Sequence, residues 1–490
     1  MLSCWRMLTR ALLALGCGLV AAASSWAQEA DNLVLQRLDR LEQENRELRQ
    51  AYESLANASR IEPEPAPTPA NVPADGNCVP ADGNCVPADG NCLPADSTAE
   101  CDDWCQLFFD ERVGPPGAKI TGFVQFDSGW VSQDAANRAA VGDISDTTGI
   151  RRLRLRAHGN VLPDVSYLVD LDFAASGHPS FRDVKFTVHE QPLLQNVQIG
   201  YFIQPFGFDA STSGRELLLL ERQLPFAFAP FRQSGVGAYG TTADEMLQWS
   251  LSGYRYPTNT FGVSQGESGG WGYANRVTML PYVNEEHCCL VHVGGSYSYA
   301  NPGDGTVDFS IEPGFFVTDP MNKAADNSVP VFVNTGDIPA SGLNLAGLEA
   351  AIQIRSFNIQ GEMVGAFVDQ IGGPNLAFSA ASAKIAYVLT GESHPYDRQQ
   401  GIFRRVIPNE DAQFLSLQGG AWEAVAAWSY IDLDDQNIQG GQLQTITFGL
   451  NRYLNDYVKV QLNVIRALLD DPVDGNGAAT FVALRAQAEF

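Results

Sequence analysis

From Lys119 to Phe490 the chain is a long series of short segments in which apolar and polar residues alternate, broken by Gly, Asp, Asn and Pro. Val165, Tyr167, Val169, Leu171 and Phe173 alternate with Ser166, Leu168, Asp170 and Asp172, and Val458, Val460, Leu462 and Val464 alternate with Lys459, Gln461 and Asn463. Trp422, Ala424, Ala426, Trp428 and Tyr430 form another such face, as do Val197, Ile199, Tyr201 and Ile203. In the last segment Val482, Leu484, Ala486, Ala488 and Phe490 share one face, opposite Ala483, Arg485, Gln487 and Glu489. A period of two places successive side chains on opposite faces of a strand, and one apolar and one polar face suit a wall between lipid and water. Roughly 370 residues at about 23 per strand and connection predict about 16 antiparallel strands. Trp130, Trp422, Trp428, Tyr453 and Tyr457 are expected in aromatic girdles at the two membrane interfaces.

One connection breaks the rhythm. After Gln204-Pro205-Phe206-Gly207 comes Ser213-Gly214-Arg215-Glu216 and then the run Leu217-Leu218-Leu219-Leu220-Glu221-Arg222. Ser213 with Glu216 matches a capping box, which predicts a short helix ending before Pro225. Four consecutive leucines need cover, and a loop folded into a barrel would find it there while narrowing the passage.

The N-terminal part follows other patterns. Arg6 and Arg10 precede an apolar run that closes with Ser25-Trp26-Ala27, which reads as a signal peptide over residues 1–27. Over 28–57, Val34, Leu38, Leu41, Asn45, Leu48, Tyr52 and Leu55 are spaced alternately by four and three, the seam of a coiled coil that joins subunits; the alternative is a solitary amphipathic helix. Residues 58–118 are rich in proline and alanine and carry the repeat VPADGNC, with cysteines at Cys78, Cys85 and Cys92, followed by Cys101 and Cys105. Such a segment cannot bury a core and reads as an extended linker. With Cys288 and Cys289 these thiols are the disulfide candidates, either crosslinking neighbouring subunits or pairing internally, since an exported protein meets an oxidising compartment.

Composition decides less. Mean hydropathy of −0.12 fits a soluble globule and a barrel alike, because barrel strands dilute each lipid-facing residue with a lumen-facing one. A net charge of −26 argues against a nucleic-acid partner. It leaves the selectivity of a pore open, since a few charges in a narrow passage outweigh many on loops.

Motifs for covalent chemistry are weak. Gly262-Val263-Ser264-Gln265-Gly266 spells G-x-S-x-G, but Glu267-Ser268-Gly269-Gly270 follows where a nucleophile elbow needs a helix. His287-Cys288-Cys289-Leu290-Val291-His292 holds metal-ligand residue types, yet on a strand they point to opposite faces. His189-Glu190 lacks the second histidine of H-E-x-x-H. No enzyme activity, cofactor or metal is expected.

Several stretches together carry a resemblance. ITGFVQFDSGWVSQD from Ile120, IRRLRLRAHGNVLPDVSYLVDLDFA from Ile150, the QPFG-to-LLLLERQLPFAFAPFRQSGVGAYG segment, YVLTGESHPYDRQQGIFRRVIP from Tyr387, GAWEAVAAWSYIDL from Gly420 and GLNRYLNDYVKVQLNVI from Gly449 resemble the phosphate-selective porin O and P family. The resemblance implies a porin domain over 119–490: an all-β, 16-stranded antiparallel transmembrane β-barrel with its third long loop infolded. It also implies a homotrimer in the outer membrane, with the lipid bilayer, other copies of the chain and small hydrophilic or anionic solutes as partners. The best-known members of the family line their passage with a ladder of arginines and a cluster of lysines. Here Arg152, Arg154 and Arg156 share one strand face. Either they form a track for anions, or they are a polar lumen wall neutralised by Asp170 and Asp172 on the next strand. Arg182, Lys185, Arg215, Arg222 and Arg232 complete the pore-lining candidates. Lys119, Lys185, Lys323, Lys384 and Lys459 are too dispersed to build the family's lysine cluster.

The function expected is passive diffusion of small hydrophilic solutes, with a preference for phosphate or other oxyanions. The coiled coil would then sit in the periplasm. The alternative is a secreted β-sandwich that binds carbohydrate or a surface polymer, which has no use for a terminal aromatic strand.

Overall fold

The computed structural model describes residues 117–490 apart from 175–178, 267–268, 287, 317–328, 414–417 and 474. The signal peptide, the coiled-coil seam, the linker and Cys78, Cys85, Cys92, Cys101 and Cys105 lie outside the described residues.

Sixteen long strands follow one another: β1 (Lys119–Gln133), β2 (Thr147–Leu162), β3 (Val165–Asp172), β4 (Ser180–Gln191), β5 (Gln195–Ile203), β6 (Arg232–Thr241), β7 (Leu247–Arg255), β8 (Trp271–Asn284), β9 (Cys289–Asn301), β10 (Ile338–Ile354), β11 (Phe357–Gln370), β12 (Leu376–Val388), β13 (Ala421–Asp435), β14 (Ile438–Tyr453), β15 (Val458–Asp470) and β16 (Gly477–Glu489). Each pairs antiparallel with the next, and β1 pairs with β16 from Phe123↔Glu489 to Gln133↔Ala479. The ring is therefore closed. A closed single sheet leaves no free edge and is not a two-sheet sandwich.

Alternation decides which side each residue faces. Leu348, Met363 and Phe448 are exposed on the outer wall, as are Val482, Leu484 and Phe490 of the last strand, while Arg485 and Gln487 between them are buried inside. An outer surface this apolar is what a bilayer requires of a strand-built wall. Trp130 and Tyr457 are exposed at opposite ends of their strands, as girdle residues should be. Tyr453 is not among them. It is buried and donates to Glu423 Oε2 at 2.8 Å, because its place in β14 points inward. Trp428 is exposed but lies at mid-strand, stacked on Tyr430.

Most connections at the end of the barrel that carries both strand termini are short turns, such as 163–164 and 355–356. We call it the turn end, and the opposite one the loop end. The third loop, residues 204–231, enters the lumen from the loop end. Leu217, Leu218, Leu219 and Leu220 are all buried there, so the barrel does supply the cover the leucine run needs. Leu220, Leu224 and Phe228 join Phe309, Phe315 and Phe332 of the fifth loop in one apolar cluster with wall residues such as Phe378, Ile465 and Phe481. Phe228 meets Phe309 edge-on at 5.0 Å between ring centroids. Gly129 on the inner face of β1 makes room for this filling, since a Cβ there would overlap the Phe315 ring. Around this cluster the inner face is apolar too.

The helix expected from Ser213 does not form. Residues 214–216 make a turn in which Glu216 N donates to Ser213 O, a single helical turn lies earlier at Phe208–Ser211, and a 3-10 turn at Leu224–Phe228 contains Pro225. Tertiary contacts outweigh the capping box. The Glu216 carboxylate accepts from Arg405 N at 2.8 Å instead of closing the box, and the wall donates the hydrogen bonds that a helix would have made internally. Asn451 Nδ2 donates to Leu218 O at 2.8 Å, Lys459 Nζ to Leu217 O at 3.2 Å, and Arg485 to Leu220 O.

A second infolded segment comes from the other side. The connection between β12 and β13 emerges at the turn end, yet it is far longer than a turn, and its residues 389–413 lie against the lumen wall and the third loop. Phe403 packs edge-on against Phe208 of the third loop, with Ile402 beside them.

Candidate functional site: a cationic cavity beside the third loop

The arginines of β2 reach the lumen in two ways. Alternation points Arg152, Arg154 and Arg156 inward. A bulge opposite Gln125 and Phe126 of β1 adds a residue at Arg151, which then also lies inside. Two adjacent guanidinium groups thus meet one carboxylate, with Arg151 Nε at 2.9 Å and Arg152 Nη2 at 2.6 Å from Glu221 of the third loop. Arg485 joins them, bridging Glu221 and Asp127 at 2.7 Å each. Burial raises the pKa of Glu221, but three guanidinium neighbours win and hold it well below the usual carboxylate range. Arg152 therefore fastens the loop, with Gln125 as a further acceptor at 2.7 Å.

Farther from that hub lies a cavity of about 420 Å³. Arg154, Arg156, Lys185, Arg215, Arg232, Arg276 and Arg404 line it, and Asp183 is the one carboxylate among its lining residues. Gln198, Gln204, Tyr239, Gln248 and Ser250 supply the neutral polar part. Other carboxylates stand behind the arginines. Arg154 Nε is 3.0 Å from Asp172, Arg156 Nη2 2.7 Å from Asp170, and both aspartates are almost fully buried. Both ion pairs are direct cross-strand partners in the β2–β3 register. Arg182 also reaches Asp172, at 3.3 Å.

Arg232 pairs with Asp183 at 2.8 Å through Nη2, while its Nε and Nη1 are buried without a protein partner. Arg222 faces away from the cavity lining. It donates to Asp209 O and Thr212 O and lies over the rings of Phe226 and Phe231, so it braces the loop. Burial pushes its pKa down to about 9, with repulsion from Arg232 and Arg154 adding to the effect. Of the candidates, then, Arg154, Arg156, Lys185, Arg215 and Arg232 meet at the cavity. Arg152 and Arg222 hold the loop, and Asp170 and Asp172 hold the arginines.

The family described as phosphate-selective porin O and P matches residues 119–490. The chain belongs to that family. Porin O of Pseudomonas aeruginosa is 24% identical over 362 residues, covering 69% of this chain and 80% of that protein. Similar solved structures include an anion-selective porin from Comamonas acidovorans, at 10% identity and a TM-score of 0.46 over 76% of this chain and 100% of that one. The outer membrane channel DcaP of Acinetobacter baumannii is 11% identical with a TM-score of 0.45, over 76% of this chain and 97% of that one. By its family and its closed barrel this chain is an outer-membrane porin.

Several porin residues at the site escaped the sequence reading. Arg276 had a signal, because Gly272, Ala274, Arg276 and Thr278 alternate with Trp271, Tyr273, Asn275 and Val277, and its guanidinium sits on Glu349 Oε2 at 3.1 Å. Arg485 was legible on the polar face of the last strand. Arg151 was not, since the bulge depends on a partner strand. Arg404 lies in a segment with no periodic pattern. His292 is fully buried, between Tyr396 at 2.7 Å and Glu349 at 2.9 Å, and Cys288 and Cys289 lie at the turn before β9 and at its first residue. The G-x-S-x-G string is a loop, with Ser264 in an isolated bridge to Thr258.

Proposed function

We propose that this porin passes small hydrophilic solutes by passive diffusion and prefers anions, phosphate or other oxyanions among them. One observation carries the preference: the cavity lining holds seven cations against the single carboxylate Asp183, in a chain whose net charge is −26. Cations on a low-dielectric wall focus a field that admits anions and repels cations, and guanidinium groups match the geometry of oxyanions. Arg232, one of those cations, keeps Nε and Nη1 buried without a protein partner. By the same reading the turn end faces the periplasm, where the coiled coil over 28–57 gathers three copies. Reversal potentials of the purified protein in planar bilayers under a salt gradient test the preference. The expected sign is anion-selective, and substituting Arg154 and Arg156 together, both at the cavity, is expected to weaken it. A cation-selective sign in the wild type would overturn the reading.

A further inference from the structure

The segment 389–413 is fastened to the barrel at both flanks of the lumen. On one flank Arg276 of β8 donates to the carbonyls of Gln400 and Gly401, at 2.9 and 2.8 Å. On the other, His394 meets Glu423 of β13, Nε2 to Oε1 at 2.5 Å. The second ring nitrogen of His394 faces the carbonyl of Arg404 at 2.9 Å. Both partners are acceptors, so both ring nitrogens must donate, and the imidazole that satisfies them is the charged form. Burial opposes that charge, but the Glu423 carboxylate keeps the pKa above its ordinary value. Tyr453 and Asn451 complete the environment of Glu423, and Lys459 is the nearby cation on β15. From the third loop Glu216 borders the same small pocket as His394, together with Asp209 and with Lys384 of β12.

The result is a fixed backbone under Arg404. Its guanidinium lies between Asp397, at 2.5 Å, and Glu216, at 3.7 Å, and its half-exposed side chain reaches the cavity beside Gln399 and Gln400. We infer that this strap is a second selectivity element at the turn end, in which Arg404 reads the passing anion and His394 positions it by joining Glu423 to the Arg404 backbone. The inference rests on the anion preference proposed above. Removing Arg404 subtracts one cation from the lining and leaves Asp397 without its guanidinium, so its effect on selectivity exceeds that of a single charge.

The experiment is the anion-over-cation permeability ratio of the reconstituted porin, measured across pH. Arg404→Gln is expected to lower the ratio about two- to fivefold, and Arg404→Lys to keep most of it. The wild-type ratio is expected to decline as pH rises above the ordinary histidine value of about 6.5 and His394 loses its proton, and His394→Gln to give a low and flat profile. An unchanged ratio in Arg404→Gln, or matching pH profiles for wild type and His394→Gln, would overturn the inference while the wild-type sign still stood. A cation-selective wild type would instead remove the reading on which it rests. The wild-type pH profile needs no variant, so a substitution that blocks assembly leaves the test intact.

Discussion

The inner wall along β2–β8 and the inner wall along β12–β16 are built by the same alternation and end beside different materials. Along the first, inward residues such as Arg154, Arg156, Lys185, Gln198, Gln248 and Ser250 line a cavity. Along the second, the inward positions meet the infolded loops, where Val425 and Ala427 cover Leu218 and Leu219, and Ile465 and Phe481 join the Leu220 cluster. Period two decides only which residues point inward. What occupies the lumen decides whether they line a cavity, bond the infolded backbone or pack against its apolar side chains.

Substitutions that exploit this contrast should separate stability from selectivity. The largest effect is expected at the seam between the two materials. Arg485→Met leaves Asp127 and Glu221 buried without their shared cation, which should cost about 3–5 kcal/mol, read as a lower temperature for loss of the folded band in heat-modifiability gels. On the filled side, Leu220→Ala opens a void at a fully buried leucine and should cost about 2–5 kcal/mol, accompanied by a higher single-channel conductance as the loop loosens. On the open side, Lys185→Gln should change stability by less than about 1 kcal/mol, because its ammonium bonds Gln198 rather than a carboxylate. Its anion-over-cation ratio should nevertheless fall. If Lys185→Gln unfolded the barrel and Leu220→Ala did not, the contrast drawn here would be wrong.

The smallest effect is expected outside both walls. Asp134 caps the short helix α1 (Ala135–Val141) by accepting from Asn137 N, and its Oδ2 accepts from Ala478 N. Those backbone bonds hold its pKa below the ordinary carboxyl value. The contribution is therefore present above the unfolded pKa near 4 and is lost as pH falls through the lowered folded value. Asp134→Ala should lower the hydrogen-exchange protection of Asn137 and Arg138 and leave selectivity unchanged, and in the wild type the same protection should fall as acid protonates Asp134.

The strands were readable because alternation is a property of a single strand. The Arg152, Arg154 and Arg156 face and its neutralising partners Asp170 and Asp172 were readable for a related reason: consecutive antiparallel strands set their own register. What failed depended on distant chain. The capping box at Ser213 lost to a carboxylate contact with Arg405, which lies 189 residues away. Tyr453 read as a girdle residue because an aromatic at a strand end does not announce which face it occupies. The strap shared in the family resemblance but carried no periodic signal, and a connection without periodicity gives no hint that it turns into the lumen rather than out of it.

The bonds between the leucine run and the wall bear on how such a ring is born. Asn451, Lys459 and Arg485 point their donors at carbonyls that belong to the filling, so a cylinder closed without its contents would hand those groups to water and exchange that water again when the leucine run arrived. Closing the ring around the leucine run spares that exchange. Damage to the leucine run would thus surface as failed biogenesis, with fewer barrels reaching the membrane, before it surfaced as a leak.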